Sequence, residues 1–292
     1  MKDLLEKMQN GDIKSLAKLI TYLENHPEDR FVEDLPSKGA KVIGFTGSPG
    51  AGKSTLVNAV ISQLRRENHT VGVIAIDPTS PFTGGSFLGD RIRMKTHFLD
   101  DGVFIRSMGS GTSLGGLNES VFDVIKLMDA FGFDYILIET VGAGQSEVDI
   151  VYVSDIVVLI LSPGMGDDIQ FLKSGIMEIG DIYVINKSDL DGADFYKTRL
   201  ESMLFLSNVK KPIVKTIATS GVGVEELIFN IKKLLSKFHN NGEIRKRKER
   251  RLKKHAESIL IKRIQKSLEK ISEFDKLSNV ISKVINDICK NN

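Results

Sequence analysis

The stretch GSPGAGKST, residues 47–55, decides the fold. It fits G-x-x-x-x-G-K-[ST], the pattern of a loop that cradles the phosphates of a nucleoside triphosphate. Gly47, Gly50 and Gly52 let backbone N–H groups turn inward along a path that Cβ atoms obstruct. Lys53 adds a point charge at the β- and γ-phosphates, and the Ser54 hydroxyl suits Mg²⁺. Ser48, Pro49, Ala51 and Thr55 complete the loop. Its flanks agree with this reading. KVIGFT (41–46) is a short apolar run that reads as a buried strand, and STLVNAVISQLRREN (54–68) has helical periodicity.

Further β-branched runs follow: TVGVIAI (70–76), GVFIRSM (102–108), FDYILIE (133–139), DIVVLILS (155–162), DIYVINK (181–187) and PIVKTI (212–217). They are nearly continuous in hydrophobicity and mostly separated by helical segments, which predicts an α/β P-loop NTPase fold. Its sheet is mainly parallel, doubly wound and covered on both faces. Residues 40–238 form this nucleotide-binding domain. Before it, residues 1–39 read as two short amphipathic helices, with Asp12 as an N-cap, and a polar linker. Residues 239–292 read as a C-terminal helical extension in which Ile264, Leu268, Ile271, Phe274, Leu277, Ile281, Ile285 and Ile288 recur every three or four positions.

Composition bounds the rest. Forty Lys and Arg against 38 Asp and Glu favour neither nucleic acid nor an anionic membrane as partner. The lone Cys289 excludes intrachain disulfides and cysteine-cluster metal sites. With no signal peptide and no apolar run near the length of a membrane span, the expected location is cytoplasmic. The basic run Arg245–Lys254, broken by Glu249 and lacking aromatics, reads as a solvated helix face.

NKSD, residues 186–189, addresses the base. Asp189 can accept hydrogen bonds from guanine N1–H and the 2-amino group, donors that adenine lacks there, while Lys187 can lie along the ring and Asn186 opens the element. Two carboxylates end strands where a metal and a water need them. Asp77 closes TVGVIAID, and Glu139 closes FDYILIE and opens ETVG. Each can hold Mg²⁺ through water, and Gly142 can offer its N–H to the γ-phosphate. A helix N-cap is the alternative for either acid.

DPTSPFTGGSFLGDRIRM (77–94), FIRSM (104–108), SLGGL (113–117), ETVGAGQSEVDI (139–150) and PGMGDDIQFLKSGIMEIGDIYVINKSD (163–189) together resemble the MeaB/ArgK/MMAA family. These are GTPases that act as chaperones of adenosylcobalamin-dependent methylmalonyl-CoA mutase. The resemblance implies a GTP-hydrolysing, Mg²⁺-dependent chaperone that gates cofactor loading, protection or release in that mutase or a related acyl-CoA mutase. It assigns residues 47–55 to the phosphates of GTP or GDP. Asp77, Asp90 and Glu139, with Lys53 and Ser54, go to catalysis and Mg²⁺, and Asp189 goes to guanine. Ile217, Ala218 and Thr219 match the loop that backs the base. Pro163 to Lys173, with Gly164, Asp167, Gln170 and Lys173, resembles a third switch that relays nucleotide state to the mutase.

There are departures from the family pattern. Gly111 and Thr112 stand where relatives have Arg-Gly before the LGG element, and Ile217 replaces a serine. Gln145 is separated from Gly142 by Ala143 and Gly144, out of register with the water-positioning glutamine of Ras-like proteins. Two other functions remain open. A metallochaperone needs a ligand cluster, and His26, His69, His97, His239 and His255 are scattered. An ArgK-type kinase of a transport-binding protein needs a base for the acceptor hydroxyl. The apolar C-terminal stripe implies a homodimer, as does the resemblance.

Overall fold

The apolar runs fold as strands hidden on both faces. The structure is a computed structural model that describes residues 1–27, 29, 31–77, 95–97, 99–109, 118–140, 146–163, 176–206, 210–270 and 277–290. The described strands are β1 (Lys41–Gly47), β2 (Val71–Asp77), β3 (Val103–Gly109), β4 (Tyr135–Thr140), β5 (Ile156–Leu161), β6 (Ile182–Ile185) and β7 (Ile213–Lys215). They form one sheet in the order β3-β2-β4-β1-β5-β6-β7. Every pairing is parallel. All strands therefore finish on the same edge, the edge on which open α/β sheets bind ligands. The central β1 lies between β4 and β5, with Phe45 opposite Glu139 and Gly47 opposite Ile160.

Alternation along the strands sorts the core into two layers. Ile43, Phe45, Leu137, Val158 and Val184 face α3 (Lys53–Arg66) and the later helix Val224–Asn240. Val42, Ile74, Ile136, Ile138 and Val157 face the other side. That side is covered by α1 (Lys2–Gln9), α2 (Ile13–Asn25), α4 (Ser120–Phe131) and α5 (Ser146–Val153). Asp12 caps α2, its carboxylate accepting from Lys14 N at 3.3 Å and Ser15 N at 3.1 Å. The N-terminal helices belong to the second layer: Met8, Leu16, Leu19, Ile20 and Leu23 are fully buried against it, each worth about 1.5–3 kcal/mol. Past β5, α6 (Ile176–Ile179) and α7 (Ala193–Leu206) pack a smaller cluster around Tyr183 and Ile185.

After α8 (Val224–Asn240), the chain runs into α9 (Glu243–Glu269) and α10 (Leu277–Lys290). The basic run is not a purely solvated face. Arg247 forks onto Asp181 at 2.7 and 2.9 Å and donates to Asp155 O at 3.1 Å, and Arg251 donates to Asp155 at 2.9 Å. The same two carboxylates accept from the starts of strands, Asp155 from Val42 N at 2.9 Å and Asp181 from Val157 N at 2.8 Å. The planar guanidinium fork matches a carboxylate that already serves a strand, so two arginines clamp α9 to the edge of the sheet opposite the nucleotide loop. Among the described residues of the periodic stripe beyond the clamp, Leu268, Ile281 and Ile285 retain 45%, 50% and 54% of their surface.

Helix α5 also meets α9. Lys254 Nζ lies 5.2 Å from the centre of the Tyr152 ring. Burial pushes the Asp149 carboxyl up to about 6, with Lys254 opposing and Glu257 reinforcing the rise. A carboxyl that holds its proton more tightly folded than unfolded destabilises the fold as pH climbs from 3.8 to about 6. Asp149→Asn should therefore raise Tm by a few degrees at about pH 7.5 and by much less at about pH 4.5, measured by scanning calorimetry. An equal shift at both pH values would assign the effect to packing.

Candidate nucleotide site

The phosphate loop leaves the carboxyl end of β1 and enters α3. Gly47 has φ +150°, and a Cβ there would stand 2.1 Å from Ile160 O on β5. Gly52, at φ +89°, would put a Cβ 2.4 Å from Asn186 Nδ2. Both positions are closed to side chains by backbone conformation and by close approach. Lys53 is buried and donates from Nζ to Gly47 O at 2.7 Å and Ser48 O at 3.1 Å, so its charge lies within the curl of the loop.

Three predicted acid and hydroxyl groups converge on neighbouring elements. Ser54, in the first turn of α3, donates from Oγ to Glu139 Oε1 at 2.5 Å. Glu139 lies on β4 opposite Ala75, and Asp77 ends the adjacent β2, both 2% exposed. Glu139 sits inside its strand, so the N-cap alternative does not describe it. This set of hard oxygens at the carboxyl edge of the sheet fits Mg²⁺. Asp90, Gly142, Gly164, Asp167, Gln170 and Lys173 lie outside the described residues.

Asn186 draws the base end to the phosphate end. Its Nδ2 donates to Ala51 O at 2.8 Å, and its Oδ1 accepts from Thr216 Oγ1 at 3.0 Å and Ala218 N at 3.1 Å. Ser188 N donates to Thr216 O at 3.0 Å. Lys187 adopts φ +55° between them, and Asp189, two residues further on, is exposed. Ile217 pairs with Val222 in an isolated antiparallel bridge, which fixes the loop carrying Ala218 and Thr219. Ile217 is half-buried, Ala218 is buried and Thr219 is exposed. The segments 47–55, 186–189 and 216–219 thus meet around one edge of the sheet.

Thr216 and Glu147 lie beside the candidate site and were not singled out in the sequence. Thr216 is fully buried and holds Asn186. Glu147 lies in the first turn of α5, 8% exposed, and its main-chain O accepts from Thr46 Oγ1 at 3.3 Å. Burial pushes its carboxyl up, and the Lys53 charge opposes that rise. An acid in the first turn of a helix is ordinary dipole compensation, so the only available signal was its position shortly after ETVG.

Residues 16–272 match the family described as methylmalonyl-CoA mutase-associated GTPase MeaB. A protein of Pyrococcus horikoshii that carries a GTPase name is 46% identical over 97% of this chain and 92% of its own length. The mouse mitochondrial protein named methylmalonic aciduria type A homolog is 36% identical over 69% of this chain and 51% of its own. A crystal structure titled LAO/AO transport system kinase superposes with a TM-score of 0.68 at 21% identity, covering 99% of this chain and 97% of that one, which bears on fold alone. Among the described residues, no helix is long and apolar enough to cross a membrane.

The exposed Asp189 carboxylate offers a clean test of base choice. Asp189→Asn should weaken GTP binding about 100-fold and shift preference to XTP, whose ring carries an oxygen where guanine has its amine, because each lost charged hydrogen bond costs about 1.5–3 kcal/mol. Equilibrium titration with both nucleotides reads this directly. Unchanged GTP affinity would remove Asp189 from the base site.

Proposed function

Because the chain belongs to the MeaB family of methylmalonyl-CoA mutase-associated GTPases, we propose that it is a GTP-hydrolysing chaperone of an adenosylcobalamin-dependent acyl-CoA mutase. Methylmalonyl-CoA mutase is the first candidate client, and the task is to gate loading, protection or release of the mutase cofactor in the cytoplasm. One observation carries this reading. The family match runs over residues 16–272, through the nucleotide site and into both helical extensions.

In this proposal the loop 47–55 holds the phosphates, with the Gly142 N–H on the γ-phosphate, and Asn186, Lys187, Asp189 and 217–219 hold guanine. Ser54, Asp77, Asp90 and Glu139 would hold Mg²⁺, which when bound would supply charge neutralisation for phosphoryl transfer. Lys53 moves from the Gly47 and Ser48 carbonyls to phosphate oxygens, and Asp77, Asp90 and Glu139 orient the attacking water. Pro163–Lys173 reports nucleotide state to the client, and α5, which follows the ETVG segment and meets α9, offers a second route to the C-terminal helices. The half-exposed stripe on α9 and α10 closes a homodimer.

Preorganised charge supplied by a partner can be worth about 10³–10⁵ in phosphoryl transfer, and Gly111 and Thr112 stand where relatives carry Arg-Gly before the LGG element. Steady-state GTP hydrolysis should therefore rise at least about tenfold when stoichiometric adenosylcobalamin-dependent methylmalonyl-CoA mutase is added. Equal rates together with equal nucleotide affinities would refute the coupling. For the dimer, Leu268→Glu combined with Ile285→Glu should halve the mass seen in analytical ultracentrifugation while GTP affinity stays the same. A double variant that keeps the wild-type mass would exclude this stripe as the interface.

A further inference from the structure

A cleft of about 530 Å³ opens at the edge of the sheet away from the nucleotide. It lies between the segment that follows α2, helix α4 and the first half of α9. Val42, at the start of β1, is in its lining, five residues and about 17 Å along the strand from Gly47. The volume falls in the range of small-molecule sites, roughly 300–1,000 Å³.

Its lining divides into an apolar bed and a charged lip. Ala40, Val42, Phe122 and Ile125 form the bed, all buried. The Phe122 ring stacks on His255 at 4.8 Å between centroids and 6° between planes, and His255 lies 3.7 Å from Asp123. From α9, Lys248, Arg251, Leu252 and His255 line the cleft with the i, i+3, i+4, i+7 spacing of one helical face. Leu252 keeps 70% of its surface exposed on this lip.

Most charges here are already committed. Asp129 accepts from Ser37 Oγ at 2.5 Å, Lys38 N at 3.2 Å and Ala40 N at 2.8 Å. Lys126 donates to Glu33 O at 2.5 Å, and Arg251 donates to Asp155 at 2.9 Å. Among the described residues, Lys248 is the one cation of the lining with neither an ion pair nor a hydrogen bond. An apolar bed beside one uncommitted ammonium and an exposed leucine is complementary to a molecule with an apolar body and a single anionic head.

We infer that this cleft is a binding site for a small organic carboxylate, its apolar body on Phe122, Ile125 and Leu252 and its carboxylate on Lys248. A ligand there touches the N-terminal segment, α4 and α9 together, so its binding energy adds to the stability of the clamped C-terminal helix.

The test uses the full-length protein and the fluorescent probe 2-naphthoate, read without interference because the chain contains no Trp. Binding should be saturable at one probe per chain and should raise Tm. 2-Naphthamide, equal in shape but uncharged, should bind about fivefold to tenfold more weakly. Lys248→Ala should weaken the naphthoate by the same factor and leave the naphthamide unchanged. Leu252→Glu should weaken both, and GTP affinity should stay constant in both variants. The inference is overturned if naphthoate binding does not saturate, or if neither variant alters it. It is equally overturned if the probe binds only after Leu268→Glu and Ile285→Glu have separated the chains, because a second copy then fills the cleft.

Discussion

The side chain of Asn186 holds the site together. It is 2% exposed and uses one donor and one acceptor atom to join the phosphate loop, the end of β7 and the base-backing loop. A buried amide left without these partners would cost about 1–3 kcal/mol per group, so the three segments share one energy minimum. Gly52 is drawn into the same minimum, because the Asn186 amide occupies the space where its Cβ would lie. In the proposed binding mode the phosphate-holding and base-holding segments are therefore kept at a fixed separation before a nucleotide binds, which limits the ordering cost of binding.

The charges beneath the loop are arranged with the same economy. Lys53 is turned onto two loop carbonyls, Ser54 is bonded to Glu139, and Glu147 lies near enough to feel the Lys53 ammonium. In the proposed binding mode a triphosphate would bring oxygens that compete for that ammonium, and a divalent ion would compete for the Ser54 hydroxyl. Both exchanges replace an internal contact by one of similar chemistry, so ligand entry rearranges the pocket without exposing an orphaned charge. Thr140 Oγ1, bonded to Thr46 Oγ1 at 3.1 Å, keeps β1 and β4 in register under this exchange.

What could be read from the sequence was local or motif-bound. The strand runs, the Asp12 cap and the strand–loop–helix context of GSPGAGKST depend on spacings of a few residues, and the fold shows each of them. NKSD pointed to guanine through Asp189, yet the bracing role of its asparagine depends on Ala51, 135 positions away, and on Thr216. The basic run misled for a related reason. Arg247 and Arg251 resemble their solvated neighbours until the fold brings Asp181 and Asp155 beneath them, from 66 and 96 positions away. Glu147 was hidden because its environment, not its spacing, sets it apart.

The clamp on α9 has a consequence for how the chain is born. Strands β5 and β6, with Asp155 and Asp181 at their starts, leave the ribosome well before Arg247 and Arg251, and N-terminal parts fold first during synthesis. Until α9 arrives, the two carboxylates can still serve Val42 N and Val157 N but must take their remaining partners from water. The amino ends of β5 and β6 therefore stay hydrated and negatively charged until α9 docks on them. A helix made late thus completes the charge pairing of strands laid down well before it.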